Sequence, residues 1–463
     1  MKNNKKMTLL MCMAMSVGSI IGGGIFAVSP MAMRRLGPAV CLAFILTVVF
    51  MVIKMLPQVV MSSALPASGA NYMHLTRLIH PGFGVVEALN VLLIGTMNIA
   101  MMSFAFSKYF VVLFPSANGR LVAILCCLFF AVMANFGARI SGRIQYILVG
   151  ILMLALGVYI FVGFGHISPV NVTLADVLFP TFEVGAMWAV VGILNNVLMG
   201  GNVVMGFADQ IENPSRTIPI AFIGGTVITA LIYAIFAYVT IGVVPSESVQ
   251  NIGDVAETFL SPALLTFFIT GGALLAIVTS INGTLMMYSH THFMVAKDGL
   301  YPKFMSKTNK YGAPYGTIWV HTAITLAALF TSLNLRDIVS ITAAPGLILG
   351  PVAYLPIFVV MKKFPNCYKS AFLKIPHKVI CAVAILATVL SVTAGGNVLA
   401  GMTSNQWIGM LVYYGTATIL IVTRLKYVKY KTGEDIVQRM KQPHEAWEER
   451  EKAHEVWEEK ANA

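Results

Sequence analysis

Charge is scarce in this chain. Of 463 residues only 11% are Asp, Glu, Lys or Arg, and acidic residues number 19 against 31 basic ones. A soluble domain must face water, so such a composition, 57% hydrophobic, excludes an ordinary soluble fold and points to a polytopic helical membrane protein. The six cysteines (Cys12, Cys41, Cys126, Cys127, Cys367, Cys381) show neither metal-ligand spacing nor a disulfide framework. A phosphate-binding loop is missing, which argues against ATP-driven pumping. A nucleophile–base motif and a metal cluster are missing too, so an enzyme is not expected and no metal or cofactor is. The first apolar run lacks a small-residue cleavage site and reads as a retained helix. The net charge of +12 does not point to nucleic acid, because the basic residues cluster at the ends of apolar segments.

What is abundant is apolar sequence in runs of about 20 residues, the length of a membrane-crossing helix. Twelve spans are expected, near 8–33, 39–63, 83–113, 120–136, 143–164, 185–208, 217–243, 263–295, 315–333, 337–361, 376–395 and 405–425. With both termini in the cytoplasm, the inner side holds Lys2, Lys5, Lys6, Arg77, Arg139, Arg143, Arg216, four lysines over 297–310 and five over 362–378. The outer side holds only Arg34, Arg35, Arg120 and Arg336, as the positive-inside rule requires. The expected organisation is a short N-terminus (1–7), ten core spans (8–361), two further spans (362–425) and a charged helical tail (426–463). The expected location is the cytoplasmic membrane, with lipid as a partner and the oligomeric state open.

Two spans contain their own weak points. The first reads SVGSIIGGGIF over 16–26, with Gly22, Gly23 and Gly24 in succession. The sixth reads NNVLMGGNVVMGFADQIENPSRTIP, with Gly200, Gly201 and Asn202 near its middle. Lipid supplies no hydrogen-bond partners, so a broken helix must face protein or a water-filled cavity. A break leaves N–H groups that attract an anion and C=O groups that attract a cation. An α-amino acid carries both charges. Glycines also permit close helix packing, and three alone do not decide the matter. Interruptions in matching positions of two five-helix halves are the stronger pointer to a transporter binding site.

Four segments resemble the amino acid–polyamine–organocation transporter superfamily: GSIIGGGIF, ADQIENPSRTIPIA, ALPASGANYMHLTRLIHPGFG and VTSINGTLMMYSHTHFMVAKDGLYPKF. The resemblance covers about residues 8 to 425. It implies an all-α fold of five-plus-five inverted repeats (the LeuT-type fold) with spans one and six unwound, two further spans, and alternating access. It places the substrate carboxylate on backbone N–H groups of Gly22, Gly23 and Gly24. It places the amine on carbonyls of Ile20 and of the sixth span around Asn196, Met199, Gly200 and Asn202. The chain departs from the pattern in lacking a gate aromatic near Asn196 or Leu198, in lacking a Glu near Val60, and in carrying His290 where relatives often have Arg.

Coupling stays open between exchange, sodium symport and proton symport, with exchange the leading expectation; a membrane sensor is the alternative of another class. A lysine that substitutes for sodium in some relatives is missing from the fifth span, where the position falls near Leu152. Ala276, Thr279 and Ser280 share one helical face, and the resemblance to sodium-coupled proteins of the same fold implies that carbonyls of Gly18 and Ile21 complete a candidate sodium site of oxygen ligands; Ser and Thr in a helix also bond back to their own backbone. Lys54, deep in the second span, is a candidate for gating or proton linkage, or a snorkelling side chain. Lys108 reads as an outer-end snorkeller and Glu87 as structural. With no acidic residue at mid-membrane depth, neutral substrates are favoured, or anionic ones if Lys54 reaches the cavity. The tail, HEAWEEREKAHEVWEEKA, reads as a solvated surface helix.

Overall fold

The computed structural model describes residues 6–22, 25–26, 28–330 and 335–462. It is helical, and its only extended pairing among the described residues is an isolated bridge between Met7 and Ile211. The first span is split into α1 (Leu9–Ile20) and α2 (Ser29–Leu36). Then come α3 (Val40–Ala64), α4 (Pro81–Leu113), α5 (Gly119–Ala134), α6 (Ala138–Phe164), α7 (Val184–Leu198) and α8 (Pro214–Val243). The second half continues with α9 (Leu275–Lys297), α10 (Tyr315–Phe330), α11 (Leu335–Ile348), α12 (His377–Ala400), α13 (Ser404–Thr432) and the tail helix α14 (Glu445–Asn462).

Local chemistry sets many of these ends. Asn118 caps α5 by accepting from the N–H groups of Arg120 and Leu121 at 3.0 and 3.2 Å. Thr403 and Gln406 form a reciprocal capping box on α13. Pro81 and Pro214 occupy first turns, where a missing N–H costs nothing. Gly433, at φ 73°, stops α13 in the left-handed conformation that glycine alone adopts without strain.

Among the described residues, nine helical runs are long and apolar enough to cross a bilayer. The runs Leu9–Ile20, Gly119–Ala134 and Tyr315–Phe330 are apolar but shorter, and correspond to the first, fourth and ninth expected spans. The tenth expected span corresponds to the run Ser340–Lys363, which is not α-helical throughout: from α11 it tightens into a 3₁₀ helix at Gly350–Tyr354 and continues as a short α-helix at Pro356–Lys363. Pro351 and Pro356 each remove a backbone donor there, so an uninterrupted ladder cannot form.

The helices pack in pairs: α1 on the sixth span, α3 on α8, α4 on the α9 run, and α5 on α10. Met7 and the sixth span meet through backbone bonds, Met7 N–H to Gln210 O at 2.8 Å and Glu212 N–H to Met7 O at 2.9 Å. Arg450 of the tail reaches Ser215 Oγ at 3.5 Å. Met7 and the tail therefore sit at the same end of the bundle. The tail helix is exposed at Glu445, Ala446, Glu448, Glu449, Lys452 and Ala453, as a surface helix should be, but it docks one face, where Trp447 is only 1% exposed and Glu451 is buried.

Candidate functional site

The first span stops at Ile20, and the chain turns tightly, with Gly22 N–H donating to Ile20 O at 2.7 Å. The expected interruption thus begins after Ile20. Gly23, Gly24 and the side chain of Asn196 lie outside the described residues. The sixth span behaves differently from expectation. At Met199 it tightens into a 3₁₀ helix that continues to Gln210, and the non-helical backbone sits at Phe207 rather than at Gly200. A 3₁₀ stretch exchanges i→i−4 bonds for i→i−3 bonds, so the α-ladder is lost without a gap opening.

What Gly200 does is bring two backbones together. A Cβ there would overlap the Ser19 carbonyl. Gly201 packs under Thr226 and Phe222 of α8, and its carbonyl accepts from Ser16 Oγ at 3.1 Å. Gly22 faces Ser280, and Gly18 faces Val149 and Gln145 of α6. Small residues at each crossing let polar main chain approach polar side chains.

A polar seam results. Thr279 Oγ1 donates to Gly18 O at 2.9 Å, with Ala276 O at the same distance. Ser280 Oγ lies 3.0 Å from Gly18 O and 3.1 Å from Ser19 O. Tyr233 of α8 donates to Ile20 O at 3.0 Å. Gly18, Ala276, Thr279 and Ser280 are brought together, and Ile21 is buried. The carbonyls of the broken helix end are met by hydroxyl donors from its neighbours.

Sequence reasoning missed two members. Gln145, not the residue near Leu152, meets Gly18 and Thr279: its amide donates to Thr279 O at 3.0 Å and accepts from Asn282 at 3.0 Å. Leu152 is buried in the apolar core instead. The second is Tyr233. A signal for Gln145 existed, a lone amide in the apolar run GRIQYIL; Tyr233 carried none.

Lys54 does not snorkel. It is 3% exposed, and its ammonium points across to the sixth span, 3.5 Å from Asn195 Oδ1 and 4.0 Å from Met199 Sδ. No carboxylate pairs with it among the described residues. Pro57 lies one turn further along α3. Lys108 is exposed, as expected of a snorkeller, and Glu87 is buried and accepts from Asn71 at 3.1 Å. His290 joins α9 to the C-terminal end of the sixth span, 2.6 Å from Gln210. Outside the crossing, an apolar cavity of about 580 Å³ lies between α4, α5, α6 and α9, lined by Phe106, Phe110, Leu125, Phe129 and Leu148 among others. Its lining carries no polar cluster that could hold a zwitterion.

Residues 7–422 match the family model described as amino acid permease. The chain belongs to the amino acid permease family. That family lies in the superfamily the four motifs resemble, and its members are transporters rather than enzymes. The branched-chain amino acid permease BcaP of Lactococcus lactis subsp. cremoris is 25% identical over 441 residues, covering 89% of this chain and 94% of that one. The lysine-specific permease LysP of the same organism is 24% identical, covering 91% and 89%. The inner membrane transport protein YbaT of Escherichia coli is 26% identical, covering 77% and 83%. This permease is accordingly a multi-pass membrane protein, and its relatives support amino-acid transport.

Proposed function

We propose that the protein is a secondary transporter that moves amino acids or related amines across the cytoplasmic membrane by alternating access, working as an exchanger with both termini in the cytoplasm. The observation that carries this reading is the crossing of the first and sixth spans, where Gly200 lies against the Ser19 carbonyl. Backbone N–H groups of Gly22, Gly23 and Gly24 meet the substrate carboxylate, carbonyls of Ile20 and of the sixth span around Asn196 and Met199 meet its amine, and Gly200 and Asn202 complete the site. Pairwise packing of corresponding spans supports a five-plus-five repeat with two further spans. Uptake of labelled amino acids into proteoliposomes, with and without internal amino acid, tests it. Uptake that needs internal substrate supports exchange; none with any amino acid, alongside binding, supports a sensor.

A second reading rests on Thr279, Ser280 and Gly18. The same oxygens could coordinate sodium, a hard cation, if the hydroxyls turned away from the carbonyl. The direct hydroxyl-to-carbonyl bonds favour an ion-independent carrier, because they already satisfy the helix end. Comparing uptake in sodium and choline media separates the two.

A further inference from the structure

The tail makes contacts that the transport reading does not use. Trp447 of α14 inserts its indole at the inner end of α3, and its Nε1–H donates to Pro66 O at 3.0 Å. The ring lies against His74 at 5.4 Å and edge-on to Phe364 at 6.1 Å between centroids. Glu451 accepts from the backbone N–H groups of Asn366 and Cys367 at 2.9 and 2.8 Å. Arg450 donates to Ala64 O at 3.1 Å and reaches Ser370 Oγ at 3.4 Å. An aromatic anchor, a carboxylate on two amides and a guanidinium on a carbonyl are the features of a specific peptide site.

The other side of the same segment touches the transport core. Gly69 N–H donates to Gly206 O at 3.0 Å, and Asp209 N–H donates to Ser68 Oγ at 3.2 Å. Ser63 and Ser215 exchange hydroxyl-to-carbonyl bonds at 2.7 and 2.5 Å. Met7, at the inner end of the first span, pairs with Gln210 and Glu212. Residues 63–74 thus lie between the tail on one side and the inner ends of both interrupted spans on the other.

We propose that residues 443–452 are a peptide ligand in cis for a cytoplasmic groove formed by residues 64–74 and 364–371, and that seating this peptide holds the inner ends of the first and sixth spans together. Any movement that separates Gly206 from Gly69 must strain or release the tail. Conversely, anything that captures the tail loosens the inner gate. The site recognises an exposed helix carrying Trp, Arg and Glu at positions i, i+3 and i+4, which share one helical face. Its regulatory meaning rests on the transport reading, but its existence does not.

Hydrogen–deuterium exchange on the full-length protein in lipid nanodiscs tests the linkage without using transport. Glu451→Gln and Trp447→Ala should each raise amide exchange about tenfold at residues 64–74 and at 206–212, the effect of losing one charge-assisted or anchoring contact. Exchange over 119–134 should not move, and Lys452→Ala, at an exposed position, should leave every segment unchanged. Faster exchange in the tail alone, with 206–212 unmoved, would overturn the linkage. Unchanged exchange everywhere would overturn the peptide site. A rise spread equally over 119–134 in both variants would overturn it too, because the tail would then be part of the fold rather than a ligand. Failure of amino-acid uptake with the expected exchange pattern would sink only the transport reading.

Discussion

The ammonium of Lys54 lies 3.5 Å from the side-chain oxygen of Asn195, joining the second span to the sixth just before it tightens at Met199. A buried cation with so little compensation is costly, on the order of 2.5–3.5 kcal/mol at the centre of a membrane helix. We predict that Lys54→Met reaches the membrane, melts no lower than the wild type, and loses most of the pH dependence of transport. A wild-type pH profile in that variant would remove Lys54 from gating and proton linkage.

Gly200 and Gly192 make an internal comparison. A Cβ at Gly200 would collide with main chain that cannot rotate away, whereas a Cβ at Gly192 meets nothing within 4 Å. Gly200→Ala should therefore cost about 1–3 kcal/mol of stability and abolish uptake. Gly192→Ala should be neutral or stabilising by up to about 1 kcal/mol. Thermal unfolding in detergent and uptake in cells check both, and equal behaviour of the two variants would refute the close crossing.

Gln145 bridges α6 and α9. Gln145→Leu removes the donor to Thr279 O, and interhelical hydrogen bonds in membranes contribute about 0.6–2 kcal/mol each. A loss of that size should appear as a lower melting temperature. Thr279→Val should lower it similarly, and under the exchange reading should leave uptake equal in sodium and choline. A selective loss of sodium-stimulated uptake would favour the symport reading instead.

His74 gives tail seating a pH dependence. Burial pushes its imidazole down to about 4 from an ordinary 6.5, opposed by its bond to Leu65 O and reinforced by His444. Burial lowers His444 as well, with Asp209 and Glu445 opposing and Arg77 and Lys297 assisting. A depressed histidine pKa means that the seated state prefers the neutral ring. Seating should therefore be fullest above about pH 6.5 and weaken as pH falls towards about 4. Exchange over 445–453, measured across that window and corrected for intrinsic rates, should rise with acidity. His74→Phe should flatten the rise.

Arg77 and Asp298 form a nearly buried ion pair at 2.6 Å, with Tyr72 on the same carboxylate. Asp298→Asn leaves the guanidinium without its counter-charge, so a loss of about 3–5 kcal/mol is expected. Arg77→Met with Asp298→Leu should recover much of it. A double variant no more stable than Asp298→Asn would show that the pair does more than neutralise itself.

Composition and periodicity determined that this chain is a helical membrane protein, because apolar runs of bilayer length have no other stable solvent. The glycines of the first span marked a real interruption at Ile20, and Thr279 and Ser280 share one face of α9, as their spacing implied; that this face meets Gly18 was implied by the family resemblance. Those features are legible because they depend on local backbone freedom and on one helix's own period. Three others belonged to the tertiary structure. Gln145 reached the seam because α6 packs at one particular rotation against α9, and Lys54 turned to Asn195 because α3 faces the sixth span there. Trp447, in a sequence polar enough to remain in water, is buried because residues 64–74 and 364–371 offer it partners far away in the chain. Helical period shows which residues share a face, but the face's neighbour is chosen by the packing of the whole bundle.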